Sequence, residues 1–158
     1  MTSPAFNVIA KLQGKTLATA ESCTGGGIGH ALTAVPGASN VYKGGIISYC
    51  NEIKAKLLDV SEELLKRYGA VSAPVAQAMA QGARKALNTD IAVSVTGLAG
   101  PSGDDFGNPV GTVFIGYADE EIALSRRYLF SGDRDTIRMQ AVDAALELIL
   151  ENAQKNTR

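Results

Sequence analysis

Two apolar runs near the C-terminus, Val110–Tyr117 and Ile122–Phe130, are separated by little more than the acidic triplet Asp119-Glu120-Glu121. A parallel crossover needs a dozen or more residues, so these runs must pair as an antiparallel hairpin. That spacing removes purely parallel sheets from the options. Upstream, helical and extended patterns alternate. Phe6–Leu12 carries a helical apolar face, with Pro4 near its start and Gly14 as its stop. Thr16–Ala20 reads as a strand, Ile28 to Val35 as a helix ended by Pro36-Gly37, and Gly44–Cys50 as a second strand. Asn51 is the expected N-cap of the next helix, with Lys54 in its third position. A helical piece over Ser61–Tyr68 follows, then a longer helix from Ser72-Ala73-Pro74 to about Leu87 with a Val75, Met79, Ala83, Leu87 stripe. Asp90–Thr96 is a strand, and the region from Asp133 to Asn152 is a long amphipathic helix. This order predicts a three-layer α/β/α fold whose mixed sheet includes the C-terminal antiparallel hairpin. With no linker or repeat, one domain over 1–158 is expected.

Composition narrows the partners. Apolar residues make up 46% of the chain, charged residues 20%, and the formal net charge is -1. A balance of that kind gives no long-range pull toward nucleic acid or an acidic membrane, and no basic run supplies a local one. Two cysteines, Cys23 and Cys50, do not make a secreted disulfide scaffold, and Cys50 is expected to be packed. No apolar run reaches bilayer length and no signal-peptide pattern opens the chain, so a cytoplasmic location is expected.

The chemistry concentrates in Glu21-Ser22-Cys23-Thr24-Gly25-Gly26-Gly27, where the first strand hands over to a helix. A serine at such a turn presents its hydroxyl beside N–H groups that can meet a developing oxyanion. The glycines suit an anion, or simply a close helix approach. Neither a Walker nor a Rossmann glycine spacing is present. The single histidine, His30, falls about two turns into the following helix and is badly placed as a base for Ser22. A lysine can serve if its ammonium is destabilised, and Lys54, in the first turn of a helix, is the best-placed alternative base, because the positive helix end disfavours its charge. Tyr49 lies near it and could relay a proton, orient it or hold the oxyanion. The plainer reading makes Tyr49 a half-buried strand aromatic and Lys54 a solvated lysine. Cys23 is a second candidate nucleophile, since a thiol near a helix start is activated. Arg134 and Arg138 share a helix face and suit either a phosphate or solvent. The loop carrying Gly100, Gly103, Asp104 and Asp105 lies at the carboxyl end of a strand, where open α/β sheets bind ligands. No cysteine and histidine cluster has metal-ligand spacing.

Five blocks in order carry a resemblance: Thr19-Ala20-Glu21-Ser22-Cys23-Thr24-Gly25-Gly26, Ser48 to Lys54, Gly69-Ala70-Val71-Ser72, Ser94 to Pro101, and Pro109-Val110-Gly111-Thr112-Val113. Together they resemble the CinA carboxyl-terminal domain family over nearly the whole chain. Members with demonstrated activity are nicotinamide-nucleotide amidohydrolases, which convert nicotinamide mononucleotide to nicotinate mononucleotide and ammonia. The resemblance implies catalytic roles for Ser22, Tyr49 and Lys54. It implies a site turn at Thr96-Gly97, and it implies no metal or other cofactor. Cys50 stands where relatives often carry serine. The mechanism drawn from these matches gives oxyanion or substrate contacts to Thr24, Gly25 and Gly26, with Arg138 a candidate for the ribose phosphate. The small-molecule nucleotide is the expected partner, and the family's homo-oligomeric habit suggests a second copy as well. Two other classes stand beside the enzyme reading: a pyridine-nucleotide-binding module without turnover, and a structural or interaction domain.

Overall fold

Period-two alternation of side chains divides the central strands between two cores. In the computed structural model, which describes residues 2–156, Leu17 and Val93 face one side of the sheet while Ala18, Ala20 and Ala92 face the other. The elements run α1 (Pro4–Lys11), β1 (Leu17–Glu21), α2 (Gly27–Thr33), a short 3₁₀ turn, β2 (Tyr42–Ile47), α3 (Asn51–Leu58), α4 (Glu62–Tyr68) and α5 (Ala73–Leu87). Then come β3 (Ile91–Gly97), β4 (Thr112–Ala118), β5 (Ala123–Leu129) and α6 (Arg134–Asn156). The sheet order is β2-β1-β3-β4-β5. β1 is parallel to both β2 and β3, while β3–β4 and β4–β5 are antiparallel. The hairpin demanded by the Asp119 spacing is therefore present, inside a mixed three-layer α/β/α fold.

Helices α1, α2 and α6 cover the larger apolar face, meeting Leu17, Val93, Val95, Val113 and Ile115. Helices α3, α4 and α5 cover the alanine face. Small residues there let α5 settle low on the sheet, with Met79 filling the gap. The starts of β1 and β3 are locked in register by Asp90, which accepts hydrogen bonds from the Thr16 N–H (2.8 Å) and Thr16 hydroxyl (3.1 Å).

Helix starts follow their capping residues. Ser3 caps α1, with Pro4 at its first turn, and Ser61 caps α4. Two expectations shift. The second strand occupies Tyr42–Ile47 rather than Gly44–Cys50, so Tyr49 and Cys50 stand in the turn beyond it. The cause is the neighbouring strand: Glu21, the last residue of β1, pairs with Ile47, and the chain then leaves the sheet at the glycine turn. The N-cap of α3 is Cys50 rather than Asn51, which makes Lys54 the fourth helical residue. Cys50, expected to be packed, is exposed.

Met79 is fully buried in the cluster between α5 and the alanine face. Met79→Ala is expected to cost about 3 kcal/mol, read as a lower urea midpoint with unchanged slope.

Candidate active site

Ser22 sits one residue beyond β1, and its backbone N–H still donates to Val95 O of β3 at 3.0 Å. This extension of the sheet ladder fixes the residue while its side chain turns toward α3. There Lys54 Nζ lies 3.1 Å from Ser22 Oγ. Lys54 is 1% exposed. It also donates to Ser48 O at 2.8 Å and, more weakly, to Tyr49 O at 3.4 Å. Among the described residues no carboxylate forms an ion pair with it. Burial lowers its pKa below the ordinary 10.5, outweighing the opposing influence of Cys50 and Cys23. The sequence brought Lys54 to a helix start; the structure adds burial, and the solvated-lysine reading falls.

These two residues form the floor of a cleft of about 260 Å³ at the carboxyl ends of β1 and β3. Tyr49, Thr96, Gly97 and Arg134 contribute to its walls and mouth. Tyr49 is 65% exposed, so it is not the half-buried strand aromatic of the plainer reading. Its hydroxyl accepts a hydrogen bond from Arg134 Nη2 at 3.2 Å. Arg134, the first residue of α6, also donates through Nη1 to Gly100 O. Thr96 is buried and donates its hydroxyl to Ala70 O at 2.9 Å, which ties β3 to the segment before α5. At Gly97 a Cβ would stand 2.6 Å from Val113 Cγ2, so only glycine lets β4 pass at this point. The Asp104 loop is organised internally, its carboxylate accepting from Phe106 N–H and from both the N–H and side-chain amide of Asn108.

The glycine turn is arranged differently from expectation. The Glu21 carboxylate, 2% exposed, reaches back to the start of α2. Its Oε1 accepts the Thr24 hydroxyl at 2.7 Å, Gly26 N–H at 3.2 Å and Ile28 N–H at 2.9 Å; Oε2 accepts Gly29 N–H at 3.0 Å. Gly25 N–H donates to Ser22 O at 3.1 Å and Gly27 N–H to Thr24 O at 2.9 Å. The N–H groups of Gly25 and Gly26, and the Thr24 hydroxyl, are therefore already committed and cannot also meet an oxyanion. Among the described residues, the N–H groups of Cys23 and Thr24 make no hydrogen bond to another residue. Glu21 escaped the sequence reading because an acid closing a strand looks unexceptional; its place just ahead of a helix start was the available signal.

Arg138 does not line the cleft. It donates through Nε to Cys23 O at 2.9 Å and through Nη2 to Thr24 O at 3.2 Å, bracing the outside of the turn. With His30 it borders a separate hollow between α2 and α6. One helical turn therefore separates a cleft arginine, Arg134, from a structural one. Cys23 is buried against the apolar core, and burial pushes its thiol up to about 11, beyond the lowering influence of its own N–H, Arg138 and Lys54. Such a thiol stays protonated near neutrality and is a poor nucleophile.

The model for the CinA C-terminal domain matches residues 3–153. The chain belongs to the CinA C-terminal domain family. It is 45% identical over 148 residues to the nicotinamide-nucleotide amidohydrolase PncC of Escherichia coli K12, covering 93% of this chain and 90% of that protein. It is also 45% identical over 150 residues to a CinA-like protein of Petrotoga mobilis, covering 95% of this chain but only 37% of that longer protein. The chain thus spans little more than a third of the CinA-like relative and nearly all of the amidohydrolase. Among solved structures, a CinA superfamily protein from Escherichia coli superposes with a TM-score of 0.91 at 35% identity, covering 93% of this chain and 87% of that one. The competence/damage-inducible protein of Agrobacterium tumefaciens gives 0.90 at 37% identity, with coverages of 94% and 92%.

The buried lysine carries a pH signature. In the unfolded chain Lys54 titrates near its ordinary 10.5; in the folded protein it titrates lower. Between the two values the unfolded chain holds a proton that the folded chain lacks, so stability rises with pH through that window. Lys54→Met removes the effect. Its urea midpoint relative to wild type is expected to be highest at low pH and to lose that advantage progressively as pH rises through the lowered folded-state value toward the ordinary lysine 10.5.

Proposed function

We propose that this chain hydrolyses the carboxamide of nicotinamide mononucleotide to nicotinate mononucleotide and ammonia, with Ser22 as nucleophile and Lys54 as its base. The observation that carries the reading is the 3.1 Å contact between Lys54 Nζ and Ser22 Oγ, at a lysine that forms no ion pair among the described residues. A neutral amine suits that setting. Its two N–H bonds can point to Ser48 O and Tyr49 O, and its lone pair then accepts the Ser22 hydroxyl proton. The named activity of the E. coli PncC relative supports the substrate.

In this mechanism Lys54 takes the Ser22 proton as Oγ bonds to the carboxamide carbon, and the carbonyl oxygen becomes an oxyanion. The N–H groups of Cys23 and Thr24 are its best-placed donors in the turn. Collapse of the intermediate breaks the C–N bond, and the Lys54 ammonium returns its proton to the departing nitrogen, releasing ammonia. Water then attacks the nicotinoyl ester, passes a proton through Lys54 to Ser22 Oγ, and frees the carboxylate. Direct contact between amine and hydroxyl makes a tyrosine relay unnecessary. Tyr49 acts instead through its carbonyl, which accepts from Lys54, and as a wall at the cleft mouth. Arg134 replaces Arg138 as the group for the ribose phosphate, since its guanidinium lines the cleft. Thr96 and Gly97 shape the opposite wall. The reading includes a homo-oligomer, as the family resemblance implies, working in the reducing cytoplasm that composition leads one to expect; light scattering on the purified chain checks the first point.

Purified protein incubated with nicotinamide mononucleotide is expected to release ammonia and nicotinate mononucleotide in equal amounts. Ser22→Ala should lower kcat/KM by about 10⁴-fold or more, and Cys23→Ala should stay within about threefold of wild type. Binding of the nucleotide with no ammonia release by folded wild type would replace this reading with a binding module. Because the neutral lysine is the active form, kcat/KM should rise with pH toward a plateau, with its midpoint below the ordinary lysine 10.5. Arg134→Ala should raise KM for the mononucleotide about tenfold or more while changing that for the phosphate-free riboside little.

A further inference from the structure

We propose that Glu21 is a positioning residue for this reaction, its buried carboxylate holding the turn that aims Ser22 at Lys54 and leaves the Cys23 and Thr24 N–H groups for the oxyanion. The inference rests on the amidohydrolase reading and extends it to a residue that does not line the substrate cleft.

The first observation is the carboxylate's surroundings. A buried carboxylate is costly unless donors replace its water. Glu21 has four, three on Oε1 and one on Oε2, and all of them lie within eight residues downstream. Helix α2 cannot cap itself: its N-cap is Gly26, at φ 101°, with no side chain to accept from the first turn. Glu21 supplies that cap from the end of β1. The site is shaped for it, since a Cβ at Gly29 would stand 2.8 Å from the Tyr42 hydroxyl and 3.6 Å from Glu21 Oε2.

The second observation is that the same turn is held from outside. Arg138 donates to Cys23 O and Thr24 O, so the peptide oxygens point to a cation while nearby donors point to an anion. Between those two clamps lies the stretch that carries the nucleophile. Among the described residues, the N–H groups of Cys23 and Thr24 in it make no hydrogen bond to another residue.

The third observation links Glu21 to the base. Its backbone oxygen accepts Ser48 N–H at 2.7 Å, and Ser48 O accepts Lys54 Nζ at 2.8 Å. One residue therefore adjoins the nucleophile through its own peptide and the base through one intervening residue. Side-chain substitution leaves that backbone link in place and tests the carboxylate alone.

Glu21→Gln is the informative variant. Its shape is retained and one oxygen can still accept three donors, but its amide group then confronts the Gly29 N–H, donor against donor. Both Glu21→Gln and the harsher Glu21→Ala would be assayed with nicotinamide mononucleotide across pH, with rates normalised to the folded fraction from circular dichroism. For Glu21→Gln the expected result is a kcat per folded molecule about tenfold to hundredfold lower, with KM within about twofold, because small misplacement of a nucleophile costs rate rather than binding. The pH midpoint should stay at the wild-type value, since the Lys54 contacts to Ser48 O and Tyr49 O survive. A residue needed only for folding would lower the folded fraction and leave kcat per folded molecule intact; that result overturns the proposal. A displaced pH midpoint overturns it as well, by making Glu21 act on the charge of Lys54. Wild type inert toward the mononucleotide overturns the amidohydrolase reading and this inference together, whereas an active wild type matched by Glu21→Gln overturns this inference alone.

Discussion

A buried primary amine that forms no ion pair among the described residues is the constraint around which this structure is arranged. Burying an ammonium without a partner is expensive, and the free energy is recovered most simply by releasing the proton. Around Lys54 two carbonyl oxygens accept its N–H groups, and the Ser22 hydroxyl oxygen lies 3.1 Å from Nζ. The start of α3 adds the positive end of a helix dipole in the same direction. Desolvation and helix position thus both push the Lys54 pKa down.

That arrangement survives only if negative charge is kept away from the amine. Glu21 is the immediate sequence neighbour of Ser22, yet among the described residues its carboxylate forms no ion pair with Lys54. Alternation at the end of β1 explains this. Glu21 sends its carboxylate to the start of α2, while Ser22 turns toward α3. On the same side, a carboxylate would form an ion pair with Lys54, favour the ammonium and disable the base. The carboxylate also fills the helix end that would otherwise attract a phosphate. Arg134 lines the cleft, on the other side of the turn from that helix end.

The sheet architecture was legible in the sequence because it rests on local signals, hairpin spacing and helical stripes; a helix start after a strand only brought Lys54 to the same sheet edge as Ser22, and the family resemblance singled out the pair. The errors share a different cause. The end of β2 and the capping of α3 depend on where β1 leaves the sheet, which the β2 sequence does not contain. Exposure of Tyr49 and Cys50 follows from the same departure. Arg134 and Arg138 look equivalent at a spacing of four, but α6 rises about 6 Å over that distance, enough to move from the cleft to the turn. Glycines 25 and 26 looked free because their competitor, the Glu21 side chain, reaches them only through a bend that propensity does not describe.

The location of the pair follows from topology more than from any one residue. After β1 the chain passes to the face covered by α1, α2 and α6; after the adjacent parallel strand β2 it passes to the opposite face, covered by α3, α4 and α5. Neighbouring parallel strands whose connections diverge in this way leave a crevice beyond their carboxyl ends. Ser22 enters that crevice as the first residue after β1, and Lys54 enters it from the helix that follows β2. Each half of the dyad is thus delivered by a different side of the sheet. Their 3.1 Å meeting depends on β1 and β2 keeping the register that pairs Glu21 with Ile47. A shift of one residue would carry Ser22 to the wrong face and put the carboxylate of Glu21 in its place. Parallel pairing on both sides of β1 guards against that slip, so the strand interior is as much a part of the chemistry as the turn that follows it.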